Sequence, residues 1–179
     1  MSTRVLDGLD TVILDSVAGG LAGWRSTLEQ VYDLVATEPD ATCVARTELR
    51  EFAPITDHVS ATVHCESAAA AMARDVTVSF GPADDAPWST ILQGSPGRWF
   101  ENEDVRAITR SYDEPLDRDQ SLGLLQHLRA AASDPPEYAL LSNNCATEWD
   151  EARGAAGLEP LGRTPADMHI AIAERTGQR

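Results

Sequence analysis

Residues 58–65 read HVSATVHC, a stretch in which polar and apolar side chains alternate. One side of an extended chain would carry the polar residues and the other the apolar ones: His58, Ser60, Thr62 and His64 against Val59, Ala61, Val63 and Cys65. This period of two is typical of a β-strand with one face in the core. Strand-like runs flank it, ATCVARTEL at 41–49 and DVTVSF at 75–80, with a hairpin loop or helical turn at 66–74. The segment 41–82 therefore predicts a small antiparallel sheet.

The chain before this sheet, residues 1–40, is predicted as an N-terminal helical segment. TVILDSV at 11–17 fits either a strand or a short helix. From Ser26 onward the apolar residues fall on one helical stripe, and Pro39 lies beyond its end: Leu28, Val31, Tyr32 and Val35.

The chain after the sheet, residues 101–179, is predicted to be largely helical. Asn102, followed by two acidic residues, resembles a helix start. Asp117 with Gln120 forms a capping-box pattern before a leucine stripe of Leu122, Leu125 and Leu128. Two further helices are expected from about Asn144 to Ala156, closed by Gly157, and from Thr164 and Pro165. Together these patterns indicate one α+β domain over residues 1–179, a small antiparallel sheet packed against helices.

The charge of the chain limits its partners. The formal net charge is -15, and every basic residue is an arginine. Nucleic-acid binders present basic patches, so we expect no nucleic-acid partner. No apolar run reaches the length of a membrane span, and the N-terminus lacks a secretory pattern. The expected compartment is the cytoplasm by default, with signal-independent export as the alternative.

Three cysteines occur, Cys43, Cys65 and Cys145. Their odd number and their spacing argue against a disulfide scaffold and against a zinc site. Cys43 and Cys65 lie in apolar strand positions, where packing is the expected role. No metal and no organic cofactor is expected.

Cys145 is the most chemically suggestive residue. Asn143 or Asn144 is a good N-cap, so Cys145 falls in the first helical turn, where the dipole and unpaired backbone N–H groups favour a thiolate. Those N–H groups would also stabilise an oxyanion. Glu148, close behind it on the helix, opposes thiolate formation. The structural alternative is a buried cysteine that only packs.

His58 is the preferred general base, because a strand end is more open to substrate than the middle where His64 lies. The structural alternative is a turn or cap residue beside Asp57. His127 is expected to be solvated opposite the leucine stripe, and His169 to lie at the surface or the core edge.

The order of DHVSATVH (57–64), VSFGP (78–82), LSNNCATEW (141–149) and TPADM (164–168) resembles the circularly permuted papain-like cysteine hydrolases related to the NlpC-like peptidases and amidases. The resemblance covers roughly Thr56 to Thr176 and is greatest to small bacterial members, some of which are toxin effectors. It implies a permuted papain-like arrangement with Cys145 as nucleophile and His58 as base. It also implies a third polar residue, Thr77 or Ser79, that orients the histidine, and a role for Asn144 at the oxyanion site.

The leading hypothesis is therefore a cysteine-dependent hydrolase or acyltransferase acting on an amide or ester. Its substrate would be a peptide, a peptidoglycan stem peptide or a lipid amide. The alternative is a catalytically inactive module of the same fold that binds a cognate protein, for example to neutralise a toxin or accompany an effector. In that alternative the candidate anchors are Trp88, Trp99 and Phe100, whose structural interpretation is loop packing over the sheet.

Overall fold

The computed structural model describes residues 23–51, 57–83, 88–101 and 107–177. The ambiguous TVILDSV segment and the helix start expected at Asn102 lie outside these ranges.

An antiparallel sheet forms the centre of the described structure. It contains six strands in the order β5-β1-β2-β3-β4-β6. Their bounds are β1 Thr42–Arg50, β2 His58–Ser67, β3 Met72–Pro82, β4 Ser95–Glu101, β5 Ile108–Leu116 and β6 Glu137–Tyr138. The α+β class and the antiparallel sheet are thereby confirmed.

Helices account for most of the remaining described chain. Helix α1 covers residues 23–37, and the others are α2 Trp88–Gln93, α3 Arg118–Ser133, α4 Cys145–Ala155 and α5 Pro165–Thr176. The capping box of Asp117 and Gln120 opens α3, and the Thr164 side chain caps α5. These two predicted helix starts are confirmed. Helix α1 packs beside α3, where Arg129 forms an ion pair with Glu29 and Arg118 donates to the carbonyl oxygens of Ala36 and Glu38.

The alternation in β2 divides the sheet into two faces. Val59, Ala61, Val63 and Cys65 are all at most 2% exposed and belong to the core. Helix α4 packs on this inner face, where the Trp149 indole N–H donates to Thr47 Oγ1 at 2.8 Å. The outer face carries the polar set, including Thr62, whose hydroxyl contacts that of Thr77 at 2.8 Å. Burial of the apolar set sets the register, because a slip by one residue would expose it to water.

The segment 101–179 is less helical than expected. Residues 108–116 form strand β5, which pairs along β1, so this part of the segment expected to be largely helical is a strand. Ile108, Thr109 and Tyr112 are residues that favour strands, and the edge of β1 provides the pairing partner. Residues 95–101 form β4, and the connection at 66–74, predicted as a hairpin loop or a helical turn, is a tight turn at residues 68–71.

Cys43 and Cys65 form a disulfide, which corrects the expectation that both merely pack. They are direct cross-strand partners in the β1–β2 register, with Cα atoms 4.1 Å apart. Facing residues at such a pair bring their Cβ atoms within bridging range. Sequence spacing alone does not reveal this register, and an odd cysteine count does not prevent one pair from forming.

A buried ion pair links the helices to the far edge of the sheet. Arg153 on α4 has no exposed side-chain surface, and its guanidinium lies 2.6 Å from Glu114 on β5. Its second contact is the carbonyl oxygen of Glu159, at 2.7 Å. In the part of the chain that the structure describes, no helix is both long and apolar enough to cross a membrane.

Candidate active site

Cys145 is the first residue of α4. The Asn144 side chain accepts hydrogen bonds from the backbone N–H groups of Ala146 and Thr147, at 2.9 and 3.3 Å, and so forms the N-cap. Its amide nitrogen donates to Leu140 O at 3.2 Å. These contacts commit the Asn144 side chain to capping, which changes the expected oxyanion role: the amides of Ala146 and Thr147 are already bonded. The cap holds Cys145 at the positive end of the helix dipole.

The Cys145 sulfur is placed against the beginning of β2. The residue is 7% exposed, and the backbone N–H of Val59 donates to Sγ at 3.5 Å. The hydrogen-bonded pairing of β2 with β3 begins at Ser60 and Ser79. The N–H of Val59 lies just before this pairing and donates to the sulfur rather than to β3. A hydrogen bond donated to sulfur stabilises the thiolate more than the thiol. The contact also brings the residue that follows His58 to the candidate nucleophile.

His58 is held by Ser79, on the outer face of the sheet. His58 Nε2 forms a hydrogen bond with Ser79 Oγ, and Ser79 Oγ also lies 3.2 Å from Val59 O. A serine hydroxyl has one proton, and a carbonyl oxygen only accepts. Both bonds form together when Ser79 donates to Val59 O and accepts from His58 Nε2–H. The proton then resides on Nε2, and Nδ1 is the basic nitrogen.

The two candidates for the third residue differ in their partners. Ser79 is 1% exposed and contacts the histidine, whereas the Thr77 hydroxyl is bonded to Thr62 further along the strands. The geometry therefore brings Cys145, His58 and Ser79 to the same end of β2 and β3 and leaves Thr77 outside this cluster.

Glu148 lies one turn after Cys145 and is 3% exposed. Burial raises its pKa to about 6; its neighbour Glu151 also raises it, while a hydrogen bond from Asn143 and the charge of Arg163 lower it. Residues three apart on a helix are neighbours. Glu148 thus carries less negative charge near the sulfur below about pH 6 than a solvated glutamate would.

Tyr138, on β6, was not singled out in the sequence. It is 7% exposed, and its ring contacts Phe80 with centroids 5.6 Å apart. Its pKa is raised, first by burial and then by the charge of Cys145 as a thiolate. In the sequence it is only a tyrosine a few residues before the cysteine helix, and nothing in that pattern indicates a place beside Cys145. The other missed group is Glu48, Arg50 and Ser60, buried together on β1 and β2 near His58.

The remaining sequence candidates lie elsewhere. His64 lines a groove of about 440 Å³ on the outer face, 3.5 Å from Asp75, toward the opposite end of β2 from His58. His127 is half-buried rather than solvated, since its Nε2 is shielded from water. His169 lies at the surface, 3.8 Å from Asp57.

Trp99 is 2% exposed and belongs to the core, which excludes it as a surface anchor. Among the described residues, no group of three or more His, Cys, Asp or Glu side chains is placed to hold a metal ion.

Comparison of the chain with known protein families, with curated proteins and with solved structures found no match.

Proposed function

We propose that this chain is a cysteine-dependent hydrolase or acyltransferase that acts on an amide or ester bond. One observation supports the proposal above all. Ser79 on β3 forms a hydrogen bond with His58, and the next residue of the histidine strand, Val59, donates its backbone N–H to Cys145 Sγ. The candidate nucleophile and the candidate base therefore lie near the same end of β2, each held by a separate contact. A base oriented by a third group beside a nucleophile is the arrangement that covalent catalysis requires.

The hydrogen bonds of His58 and Ser79 determine which nitrogen of the imidazole acts as the base. His58 Nδ1 takes the Cys145 thiol proton, and the resulting thiolate attacks the substrate carbonyl carbon. As the tetrahedral intermediate collapses, the C–N or C–O bond breaks, and the leaving group takes the proton from His58 Nδ1. Water or another acceptor then loses a proton to Nδ1 and attacks the thioester, which releases the acyl group and restores the thiol. Ser79 accepts from Nε2–H throughout, which holds the ring in place and leaves Nδ1 to gain and lose the proton.

The resemblance to permuted papain-like enzymes supports the same assignment. In the permuted order the histidine strand precedes the cysteine helix, as β2 precedes α4 here. The third residue comes from the strand beside the histidine strand, the position of Ser79 on β3. On this basis we include peptides, peptidoglycan stem peptides and lipid amides as the substrate classes to test.

The disulfide supports activity outside a reducing compartment. Disulfides persist in oxidising surroundings and are rare in reduced cytosol. The Cys43–Cys65 bond therefore favours an oxidising compartment over the cytoplasmic default. Maleimide labelling of the denatured protein, before and after reduction, tests whether this bond is formed. One labelled cysteine before reduction supports the bond, and three labelled cysteines before reduction contradict it.

The direct test is to trap the acyl-enzyme. The protein is incubated with p-nitrophenyl acetate, quenched in acid and digested for mass spectrometry. We expect an acetyl group on Cys145 in the parent, much less in His58→Ala, and none at this position in Cys145→Ala. Cys43 and Cys65 are internal controls, because disulfide sulfur cannot be acylated. Absence of the adduct, with the protein folded, would overturn the proposal and leave the non-catalytic binding module.

A further inference from the structure

A buried charged network lies beside His58 on the outer face of the sheet. Arg50 Nη2 is 2.5 Å from Glu48 Oε2, and the two side chains are only 13% and 8% exposed. Arg50 Nε donates to Ser60 Oγ at 3.0 Å, and Ser60 Oγ donates to Glu48 Oε2 at 3.3 Å. The three side chains thus form a closed ring of contacts.

The strand register places this ring against the proposed catalytic pair. Arg50 is the direct cross-strand partner of His58, and Ser60 lies between Glu48 on β1 and Ser79 on β3. Side chains directly opposite on one face have Cβ atoms about 5 Å apart. The Arg50 side chain therefore starts beside that of His58, and its partner Glu48 lies two residues earlier on β1.

We propose that Glu48 and Arg50 are positioning residues for His58. The Glu48 carboxylate neutralises the Arg50 guanidinium beside the imidazole and draws it back along β1, so that His58 keeps a pKa suited to a base. Ser60 fixes this geometry. The inference rests on the proposed function, because it assigns the network to the work of that same histidine.

Stability alone is a poor reason for such a pair. Removing two charges from water costs several kcal/mol per ion, and apolar residues of similar volume often serve as well or better. Arg46 and Asp113 provide a contrast on the same face, since they form an ion pair with side chains 51% and 49% exposed. Of these two pairs on the outer face, the buried one is the one that adjoins His58.

Other titratable groups contact the residues on either side of His58 within the described chain. Asp57 precedes it and interacts with His169 on α5, at 3.8 Å. Cys145 on α4 meets the next residue, Val59. These groups are unchanged in all the variants below, so a difference between variants reports the Glu48–Arg50 pair.

The test is the His58 pKa, measured by NMR titration of ¹³C-labelled imidazoles. The chain has four histidines, and a His58→Ala spectrum assigns the signal. We expect Glu48→Gln, which removes the Glu48 charge from the side of the Arg50 guanidinium, to lower the His58 pKa by about one unit. Glu48→Gln with Arg50→Met should restore it. Asp113→Asn, which exposes the distant Arg46 charge, should leave it unchanged.

An unchanged or raised His58 pKa in folded Glu48→Gln would overturn the inference. If that variant does not fold, Arg50→Met decides instead: the uncompensated carboxylate should raise the pKa, and an unchanged value overturns the inference. Alkylation of Cys145 in the parent and in His58→Ala, run in parallel, separates the two proposals. His58-independent alkylation contradicts the proposed function, whereas His58-dependent alkylation with unmoved pKa values contradicts only the role of the network.

Discussion

Glu148 gives the chain a calculable dependence of stability on pH. Burial raises its pKa from 4.5 to about 6. At about 1.4 kcal/mol per unit, this shift corresponds to roughly 2 kcal/mol. Because the folded-state pKa is the higher one, the stabilising contribution is fully present below about pH 4.5 and is lost as the pH rises through about 6. Replacement by glutamine removes this titration.

The assay is urea unfolding of the parent and Glu148→Gln at several pH values from about 4 to about 7. We expect the stability of Glu148→Gln relative to the parent to rise by about 2 kcal/mol across this range. Glu174→Gln, at an exposed position of α5, is the matched control and should show no comparable trend. A parent–variant difference that stays constant over the range would refute the reasoning. The same variant should alkylate faster at Cys145 near neutral pH, because a charge that opposes the thiolate is gone.

Three further predictions concern other contacts. Ser79→Ala should slow Cys145 acylation at least about tenfold, because a general base contributes roughly 10²–10⁴-fold and Ser79 orients that base. The far-UV circular dichroism should be unchanged, and an unaffected acylation rate contradicts the role of Ser79. Glu114→Ala should lower the free energy of unfolding by about 3–5 kcal/mol in urea titrations, because Arg153 keeps a buried charge without its partner; a loss below about 1 kcal/mol contradicts this. Reduction of the Cys43–Cys65 bond, which closes a loop of sequence separation 22, should lower the free energy of unfolding by about 3 kcal/mol in the same titrations. The control is a Cys43→Ala, Cys65→Ala variant, whose stability should not respond to the reductant.

The sequence predicted the elements whose signals are local. The alternation of HVSATVHC predicted β2 and its buried face, and the Asp117 and Thr164 caps predicted the starts of α3 and α5. The helix from Asn144 onward begins one residue later, at Cys145, and Gly157 follows its end with a positive φ of 70°. Period and capping depend on residues within one turn or one strand, so a single segment carries the whole signal.

The missed features depend on partners distant in sequence. Strand β5 pairs with β1, about 65 residues earlier, and its outer position suits its alternation of exposed and half-buried residues. The Cys43–Cys65 bond needed the β1–β2 register, and the choice of Ser79 over Thr77 needed the β2–β3 register. The Glu48–Arg50 pair carried no signal in sequence, because two charged residues in a strand normally predict a solvated face. Tertiary pairing decides all of these.

The central claim is that His58 activates Cys145. The most direct measurement is the pH dependence of iodoacetamide alkylation at Cys145 in the parent and in His58→Ala, with mass spectrometry assigning the site. We predict rapid modification near neutral pH in the parent and a marked slowing without the imidazole, since an activated cysteine titrates well below the ordinary thiol pKa of about 8.5. Slow modification that is indifferent to His58 would contradict the account and make Cys145 a structural residue.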